Sequence, residues 1–599
     1  MTLALVVAIP VATSIAIALV GGRLGRRTLG IVTTLAMAAA FGAGLSMVAT
    51  LRDRPNLEAF IGPWLPIPGA DFALVIDTSM LTVALAMTGV SALIAMYSVE
   101  YLARDRGAQR YFAAFTLLVA GMLIVVLGSN LLLIVGGWSV AGVAAYVLVG
   151  HHQDDLAAMR AAQQTFLFER VGDAALLAGT LLLLSEFHTV DLAQLSGSAI
   201  EHGSTSGGVS TLASALLLIG ALAKSAQAPL HGWLVDSAEA STPVSALIQT
   251  VAVTGGVVLL MRLRSVLVPD VLQAAAAVGG VTAFGAALAA IAQRDVRRVI
   301  AWSTVSQVGL MFVAAGLGAL FAARFQLIAH ALLKAVLVLG IGSVRRATGD
   351  RSDVAAYGGL GRWMPWTAGA FALGTLALAG IPPAAGFFGI TAIVSAAFSG
   401  GDLMLTVLVL LAGAASAFAG VRLFTLVFVA PGAAREAHEA PPLQDIPLAL
   451  LAVAALAFGA LVTAGMVPFG SGPADDAPRW LAATTFGIAL VASMAAWWLY
   501  RHGLARAASA ERVMGWARDG LDFGAIYRNA VARPFHSIAG ELDDGAESVN
   551  DRVVDAVGSI AVGTSHAMRR AYPAGARAQE ALLLTGAVVL LAVWTWSAR

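Results

Sequence analysis

The sequence predicts an all-α polytopic membrane protein of about sixteen transmembrane helices, with two inverted repeats, broken helices and a long amphipathic lateral helix before the last span. Hydrophobic residues make up 59% of the 599 residues and charged residues only 12%, against about 25% charged residues in soluble domains. Apolar stretches of about 20 residues, long enough to cross the hydrocarbon layer, recur along the whole chain. Since backbone groups in lipid must bond within their own segment, such stretches favour helices over barrel strands.

The apolar stretches define sixteen spans. They are 3–20, 30–50, 73–98, 111–128, 130–150, 162–184, 210–238, 243–266, 270–292, 298–318, 322–343, 364–390, 403–430, 445–466, 479–500 and 579–597. The first span has no basic segment before it and is followed by arginines, so we interpret it as a retained helix rather than a signal peptide. Arginine-rich loops alternate with poorer ones, which places both termini outside by the positive-inside rule. We expect a multi-pass protein of the bacterial inner membrane.

The spans divide the chain into six parts. These are N-terminal helices at 1–105, a first repeat at 106–266, a second repeat at 267–430, C-terminal helices at 431–505, an amphipathic lateral segment at 506–575 and a terminal anchor at 576–599. Charged and apolar residues interleave in the lateral segment, which is typical of a helix that lies along the membrane or along a partner.

Two predicted spans are interrupted by proline at membrane depth. Pro229 breaks the seventh span near 224–238, and Pro382 with Pro383 breaks the twelfth near 380–390. Interrupted helices in corresponding halves of a chain indicate inverted repeats with ion sites at the breaks, because unwound backbone is tolerated only where it lines a cavity or is buried in protein. The alternative is a simple proline kink in a packed bundle.

Lysine occurs at only two positions, Lys224 and Lys334, and both lie inside predicted spans, while every other basic side chain is arginine or histidine. Arginine keeps its proton in proteins, whereas a lysine in apolar surroundings can release its proton near neutral pH. Since charges inside a membrane are costly, we interpret both lysines as titratable groups of a proton path. The alternative is a lysine that reaches the membrane interface or bonds helix carbonyls.

Further ionisable side chains fall on the same spans. His330 and Lys334 lie one helical turn apart on one face, and so do Glu169 and Asp173. We expect proton-exchanging sites that are linked through water. The predicted relay consists of Lys224, His330, Lys334, Glu169, Asp173, Arg170, Asp236, Glu239 and Asp295.

Missing residue types and motifs exclude several other functions. The chain has no cysteine, which rules out disulfides, thiolate zinc sites and cysteine-ligated iron–sulfur clusters. It has no dinucleotide fingerprint after a strand and no P-loop. His151 and His152 with Asp154 and Asp155 resemble a metal cluster, but they lie in a loop and we expect no metal there. We therefore expect no catalytic residue and no cofactor in this chain.

One run of residues matches a known signature. It reads AKSAQAPLHGWLVD at 223–236 and continues as TPVSALI at 242–248. This run closely resembles the signature of the antiporter-like subunits of respiratory complex I and of Mrp-type antiporters. Supporting matches lie at Ile76-Asp77, Arg170 to Asp173, Asp295 to Ser306 and His330 to Lys334. Within that family, the span count and the lateral segment resemble the distal, L-type (chain 5) subunit of NADH:quinone oxidoreductase.

The resemblance implies roles for several residues and partners. Lys224 would be the central lysine of the proton path, and His330 and Lys334 would continue the path towards a second half-channel. The segment around Leu521 to Glu541 would strap the neighbouring antiporter-like subunits together. Quinone, flavin and iron–sulfur clusters would be in partner subunits, so this chain would be a non-redox subunit of a translocating enzyme.

The sequence also departs from the family's pattern. Ser139 follows Trp138 where the family places the glutamate that pairs with the central lysine, and Ile390 stands where the broken twelfth helix should carry a lysine. Histidines expected in the eighth and eleventh spans are Gln249 and Gln326. Glu169 occupies a position that is usually neutral, and we interpret it as a replacement acid for Lys224.

Three functions remain open on this basis. The first is a proton-translocating subunit of an NADH:quinone oxidoreductase-type complex, in which a Lys/His/acid relay couples to electron transfer in partner subunits. The second is a cation/proton antiporter or a coupling subunit for inorganic-carbon uptake. The third is a weakly conducting structural paralogue. The lateral segment favours the first over the second because a strap requires neighbours, whereas Ser139 and Ile390 favour the third.

Overall fold

The computed structural model describes residues 2–201, 208–431, 437–467 and 478–502. The chain divides into a unit at 1–521 and a second unit at 522–599. The predicted lateral segment, its strap around Leu521 to Glu541 and the terminal span at 579–597 therefore lie outside the described residues.

The described part of the chain is a bundle of helices, twelve of which are long and apolar enough to cross a membrane. The helices are α1 (Thr2–Val20), α2 (Arg26–Asp53), α3 (Thr78–Tyr101), α4 (Ala108–Leu127), α5 (Leu131–Val149), α6 (Leu156–Phe187), α7 (Leu192–Glu201), α8 (Gly208–Lys224), α9 (Gly232–Asp236), α10 (Thr242–Thr250), α11 (Gly255–Arg262), α12 (Pro269–Ala292), α13 (Val296–Gly316), α14 (Leu320–Ala347), α15 (Pro365–Ala379), α16 (Ala385–Ser399), α17 (Leu403–Phe424), α18 (Pro442–Thr463) and α19 (Arg479–Arg501). The predicted polytopic helical fold is confirmed. The count of sixteen spans stays a prediction.

A β-hairpin that the sequence analysis missed precedes α3. Its strands, β1 (Asn56–Pro63) and β2 (Asp71–Asp77), pair antiparallel. The prediction of a helix from residue 73 was therefore wrong for its first turn. Asp77 ends the strand and caps α3, because its carboxylate accepts a hydrogen bond from the Met80 N–H at 2.6 Å. Such a cap satisfies one of the free amide groups that every helix start exposes.

Both predicted breaks are present, and a third interruption was not predicted. The seventh span divides into α8 and α9, and the twelfth into α15 and α16. The eighth span, predicted as one helix over 243–266, divides into α10 and α11 around a short 3₁₀ turn at Ala252–Thr254. Each interruption leaves backbone groups that must find partners inside the protein.

The two halves of the bundle contain the same kind of helix crossing. In the first half, α4 packs on α5 so closely that a Cβ on Gly121 would lie 2.7 Å from the Gly137 carbonyl oxygen. In the second half, α12 packs on α13 in the same way, and a Cβ on Gly279 would lie 2.6 Å from the Gly309 oxygen. Each crossing is followed by a long helix and then a broken one. This order supports two repeats, and the residue boundaries given for them above stay a prediction.

Candidate functional site: a buried lysine–glutamate pair at a helix break

Lys224 is the last residue of α8, immediately before the chain unwinds. The freed backbone carbonyls are bonded by side chains of the same signature run. Trp233 Nε1 donates to the Ala223 oxygen at 2.9 Å, and Gln227 Nε2 donates to the Ser225 oxygen at 2.9 Å. The Ala223 and Ser225 carbonyls at the break are therefore bonded inside the protein, as a membrane interior requires.

Ser225 joins this break to the interruption between α10 and α11. Its hydroxyl donates to the Val253 carbonyl oxygen at 2.7 Å and accepts from the Gly256 N–H at 3.0 Å. One fully buried serine thus serves a free carbonyl and a free amide of the neighbouring interrupted helix. The two discontinuities are hydrogen-bonded to each other.

Lys224 forms an ion pair with Glu169 of α6. The Lys224 Nζ lies 3.2 Å from Glu169 Oε1, and neither side chain is exposed. The ammonium group also donates to the Trp138 carbonyl oxygen of α5 at 3.2 Å and lies 5.4 Å from the centre of the Trp138 indole ring. The helices α5, α6 and α8 therefore each supply part of the site.

The second oxygen of Glu169, Oε2, is buried and has no hydrogen-bond partner in the described part of the chain. Buried carboxylate oxygens are normally bonded to protein or to water. Oε1 faces Lys224, so the two oxygens of the carboxylate have different surroundings.

Ser139 and the rest of the acid cluster lie next to this pair. The Ser139 hydroxyl donates to Asp173 Oδ2 at 3.1 Å, and Arg170 Nη2 lies 2.8 Å from the same oxygen. The side chains of Asp173 and Arg170 are 11% and 32% exposed, so the cluster extends from the buried pair towards the periphery of α6. The structure brings four of the nine predicted relay residues together here.

His330 and Lys334 lie in the second half, on α14, and both are fully buried. His330 Nε2 lies 3.0 Å from the Gln249 carbonyl oxygen of α10. Lys334 donates to the Ser303 hydroxyl and, at 3.3 Å, to the Ile300 carbonyl oxygen of α13. Lys334 thus faces neutral oxygen atoms in these contacts, whereas Lys224 faces a carboxylate.

Gln249 and Gln326, which stand where histidines were expected, form part of a polar line through the second half. Gln249 Oε1 accepts from the Thr304 hydroxyl at 2.8 Å, and Gln326 Nε2 donates to Gln307 Oε1 at 2.6 Å. Gln307 continues to the Ser416 hydroxyl of α17 at 3.4 Å. Amide groups of this kind hold and orient water, although they do not titrate.

Asp236, Glu239 and Asp295 are partly exposed and form a separate cluster near the start of α13. Arg297 lies 2.9 Å from both Glu239 and Asp295, and Arg298 lies 3.7 Å from Asp236. Asp295 also caps α13. Burial opposes its charged form, but Arg297 outweighs this effect and lowers the pKa of Asp295. These three acids belong to an ionic cluster at a helix end.

The second break differs from the first in its chemistry. Pro382 and Pro383 connect α15 to α16, where the buried Ile390 side chain approaches Gly380. The Thr391 hydroxyl is the nearest polar group on α16 and has no hydrogen-bond partner in the region described. Pro229 thus marks a break that ends in an ion pair, and the paired prolines mark one with an apolar side chain at its core.

A bundle with interrupted helices in both halves and a buried lysine–carboxylate pair at one break is typical of antiporter-like membrane subunits. Residues 128–416 match the family described as NADH:quinone oxidoreductase/Mrp antiporter, and residues 64–112 match NADH-ubiquinone oxidoreductase (complex I), chain 5 N-terminus. The NADH-quinone oxidoreductase subunit L of Mycobacterium tuberculosis is 35% identical over 636 residues, which cover 99% of this chain and 98% of that protein. The chain belongs to the subunit L family of NADH-quinone oxidoreductases.

Other relatives extend the comparison. Subunit L of Escherichia coli K12 is 33% identical over 78% of each chain. Among solved structures, the Mrp complex from Dietzia sp. DQ12-45-1b matches with a TM-score of 0.74 at 24% identity, covering 94% of this chain and 63% of that one. An archaeal membrane-bound sulfane sulfur reductase matches with a TM-score of 0.70 at 22% identity, covering 82% of this chain and 99% of that one. These two structures share the fold.

Proposed function

We propose that this chain is the proton-translocating membrane subunit of an NADH:quinone oxidoreductase-type complex. Electron transfer takes place in partner subunits that hold the quinone, flavin and iron–sulfur clusters, and this chain has no redox or catalytic site of its own. Its partners are the other membrane subunits, above all the neighbouring antiporter-like ones, in a bacterial inner membrane.

The observation that carries the proposal is the fully buried Lys224–Glu169 pair. A charge in this position is costly unless it is paired, and the cost changes when either partner gains or loses a proton. A proton that moves from Lys224 to Glu169 converts the ion pair into two neutral groups, so the site has a charged and a neutral state. Electrostatic change in a neighbouring subunit can shift the balance between them.

The path proposed for the proton uses the remaining relay residues in sequence. Asp173 lies beside the pair and is partly exposed, which suits it to proton exchange with water. His330 and Lys334 continue the path in the second half, with water held beside them by Gln249 and Gln326. The ionic cluster of Asp236, Glu239 and Asp295 lies near the start of α13, where it attracts protons at the membrane surface.

A weakly conducting structural paralogue is the second candidate, and the apolar second break favours it. With Ile390 at its core, this break offers no titratable side chain for proton release. The replacement acid favours the first candidate, because Glu169 restores at Lys224 the partner that Ser139 removes.

The test is Lys224→Ala in the whole complex, reconstituted into proteoliposomes. We expect proton uptake per electron to fall while NADH oxidation by quinone continues at a reduced rate. A matched control is Arg160→Ala on α6, which also removes one positive charge from the chain. An unchanged proton-to-electron ratio in Lys224→Ala would assign the chain to the weakly conducting class.

A further inference from the structure

Two loops at one end of α5 bring together three metal-ligating side chains. Asp105 lies between α3 and α4, and His151 and His152 directly follow α5. His151 Nε2 and His152 Nε2 lie 3.2 and 3.3 Å from the same carboxylate oxygen, Asp105 Oδ2. All three ligand atoms lie within 4.8 Å of one another. The carboxylate comes from a separate loop, and not from Asp154 or Asp155 as the sequence pattern indicated.

We propose that Asp105, His151 and His152 form a binding site for a divalent transition-metal ion such as Zn²⁺. This inference is independent of the proposed function of the chain.

The spacing of the ligand atoms fits a metal. Zinc–nitrogen and zinc–oxygen bonds of about 2.0–2.2 Å in a tetrahedron place neighbouring ligand atoms about 3.3–3.5 Å apart. The two contacts of Asp105 Oδ2, at 3.2 and 3.3 Å, are close to this value. The distance between the ligand nitrogens of His151 and His152 can shorten by rotation of His152, whose side chain is 51% exposed.

Nε2 of each histidine faces the same Asp105 oxygen, where an ion could bind between the three groups. The His151 side chain is 2% exposed, and neither of its ring nitrogens makes a hydrogen bond within the described ranges. Buried polar atoms without a partner are rare, since each costs about 1–3 kcal/mol. A metal ion bound to both Nε2 and Asp105 Oδ2 would replace their direct contact. Burial lowers the pKa of His151, although Asp105 opposes the shift.

The surrounding groups hold the ligands in place. The Gly107 N–H donates to Asp105 Oδ1 at 2.6 Å, which leaves Oδ2 facing the imidazoles. Arg110 donates to the His151 carbonyl oxygen at 2.5 Å and fixes the loop after α5. A side chain at position 107 is excluded, because its Cβ would lie 2.8 Å from His151 Cε1. Outer contacts of this kind orient the ligands in known metal sites.

Three protein ligands leave the fourth position open towards the exposed side, where His152 lies. Nitrogen and carboxylate ligands in a tetrahedral arrangement are typical of Zn²⁺, and Co²⁺ occupies such sites as a spectroscopic substitute. A bound ion would link the α3–α4 loop to the α5–α6 loop, and α5 and α6 carry the Trp138 and Glu169 partners of Lys224.

The experiment is a Zn²⁺ titration of the purified full-length chain, carrying an affinity tag without histidines, against a chromogenic chelator. We expect one Zn²⁺ per chain and a weakening of at least about tenfold in His152→Ala and in Asp105→Asn, since changes even to outer contacts cost about 10–100-fold. The matched control is His502→Ala, which removes an exposed histidine at the end of α19. It should bind Zn²⁺ as the wild type does.

A second readout separates a metal site from a simple histidine–carboxylate contact. Zn²⁺ should raise the melting temperature of the wild type and of His502→Ala, but not that of His152→Ala. Co²⁺ should give the visible absorption of a tetrahedral site in the same two proteins only. Wild-type affinity in both ligand variants, or no binding of Zn²⁺ by the wild type at micromolar concentration, would overturn the proposal.

Discussion

Replacing Glu169 by glutamine leaves the Lys224 ammonium without its buried partner. At the observed 3.2 Å, and with an effective dielectric constant of about 20, the pair attracts by about 5 kcal/mol. Measured costs of breaking a buried ion pair from one side are similar, about 3–5 kcal/mol. If half of the attraction, about 2.5 kcal/mol, acts on the proton-transfer step, proton flux through this chain falls about 70-fold.

The assay is the ratio of protons moved to electrons transferred, measured in proteoliposomes that contain the whole complex. Glu169→Gln should lower the ratio, with quinone reduction retained. The matched control is Glu186→Gln, which makes the same change at an exposed position of α6, where Glu186 accepts from Ser210 at 2.8 Å. Equal ratios in Glu169→Gln, Glu186→Gln and the wild type, with normal assembly, would refute a role for the buried pair in proton transfer.

Three further predictions follow from the same contacts. Lys224→Arg keeps the positive charge beside Glu169 but cannot release a proton, so the proton-to-electron ratio should fall as it does in Lys224→Ala. Ser225→Ala removes two buried hydrogen bonds at the adjoining helix interruptions and should lower the melting temperature of the chain, because each unpaired buried group costs about 1–3 kcal/mol. Zn²⁺ affinity should decrease as the pH falls, because protons compete with the metal for its ligand atoms; an affinity independent of pH would contradict the proposed ligands.

The sequence was sufficient to predict those features that depend on rare residues. Two lysines among many arginines identified Lys224 as a residue inside a span, and the absence of an acid at Ser139 led to Glu169 as its partner. The structure buries Lys224, and its role as a titratable group stays a prediction. The structure places Glu169 at hydrogen-bond distance from Lys224. Helical periodicity predicts such a partner only when the two helices are known to be neighbours. Here the family resemblance indicated which helices are neighbours.

Features that depend on distant contacts were beyond the sequence. The Ala252–Thr254 interruption has no proline to mark it, and its bonding partner Ser225 belongs to another helix. The first residues of the predicted third span are apolar enough for a helix, but their backbone pairs with β1. Asp105 contacts His151 because the turns after α3 and α5 lie side by side, and no local sequence pattern predicts that contact.

The double hydrogen bond of Ser225 has a mechanical consequence. The lysine-bearing end of α8 cannot move independently of α11, because Ser225 is hydrogen-bonded to both Val253 and Gly256. Any movement of the Lys224 amine would therefore be coupled to movement of the backbone between α10 and α11. If a neighbouring subunit displaced α8 or α11, the other helix would move with it.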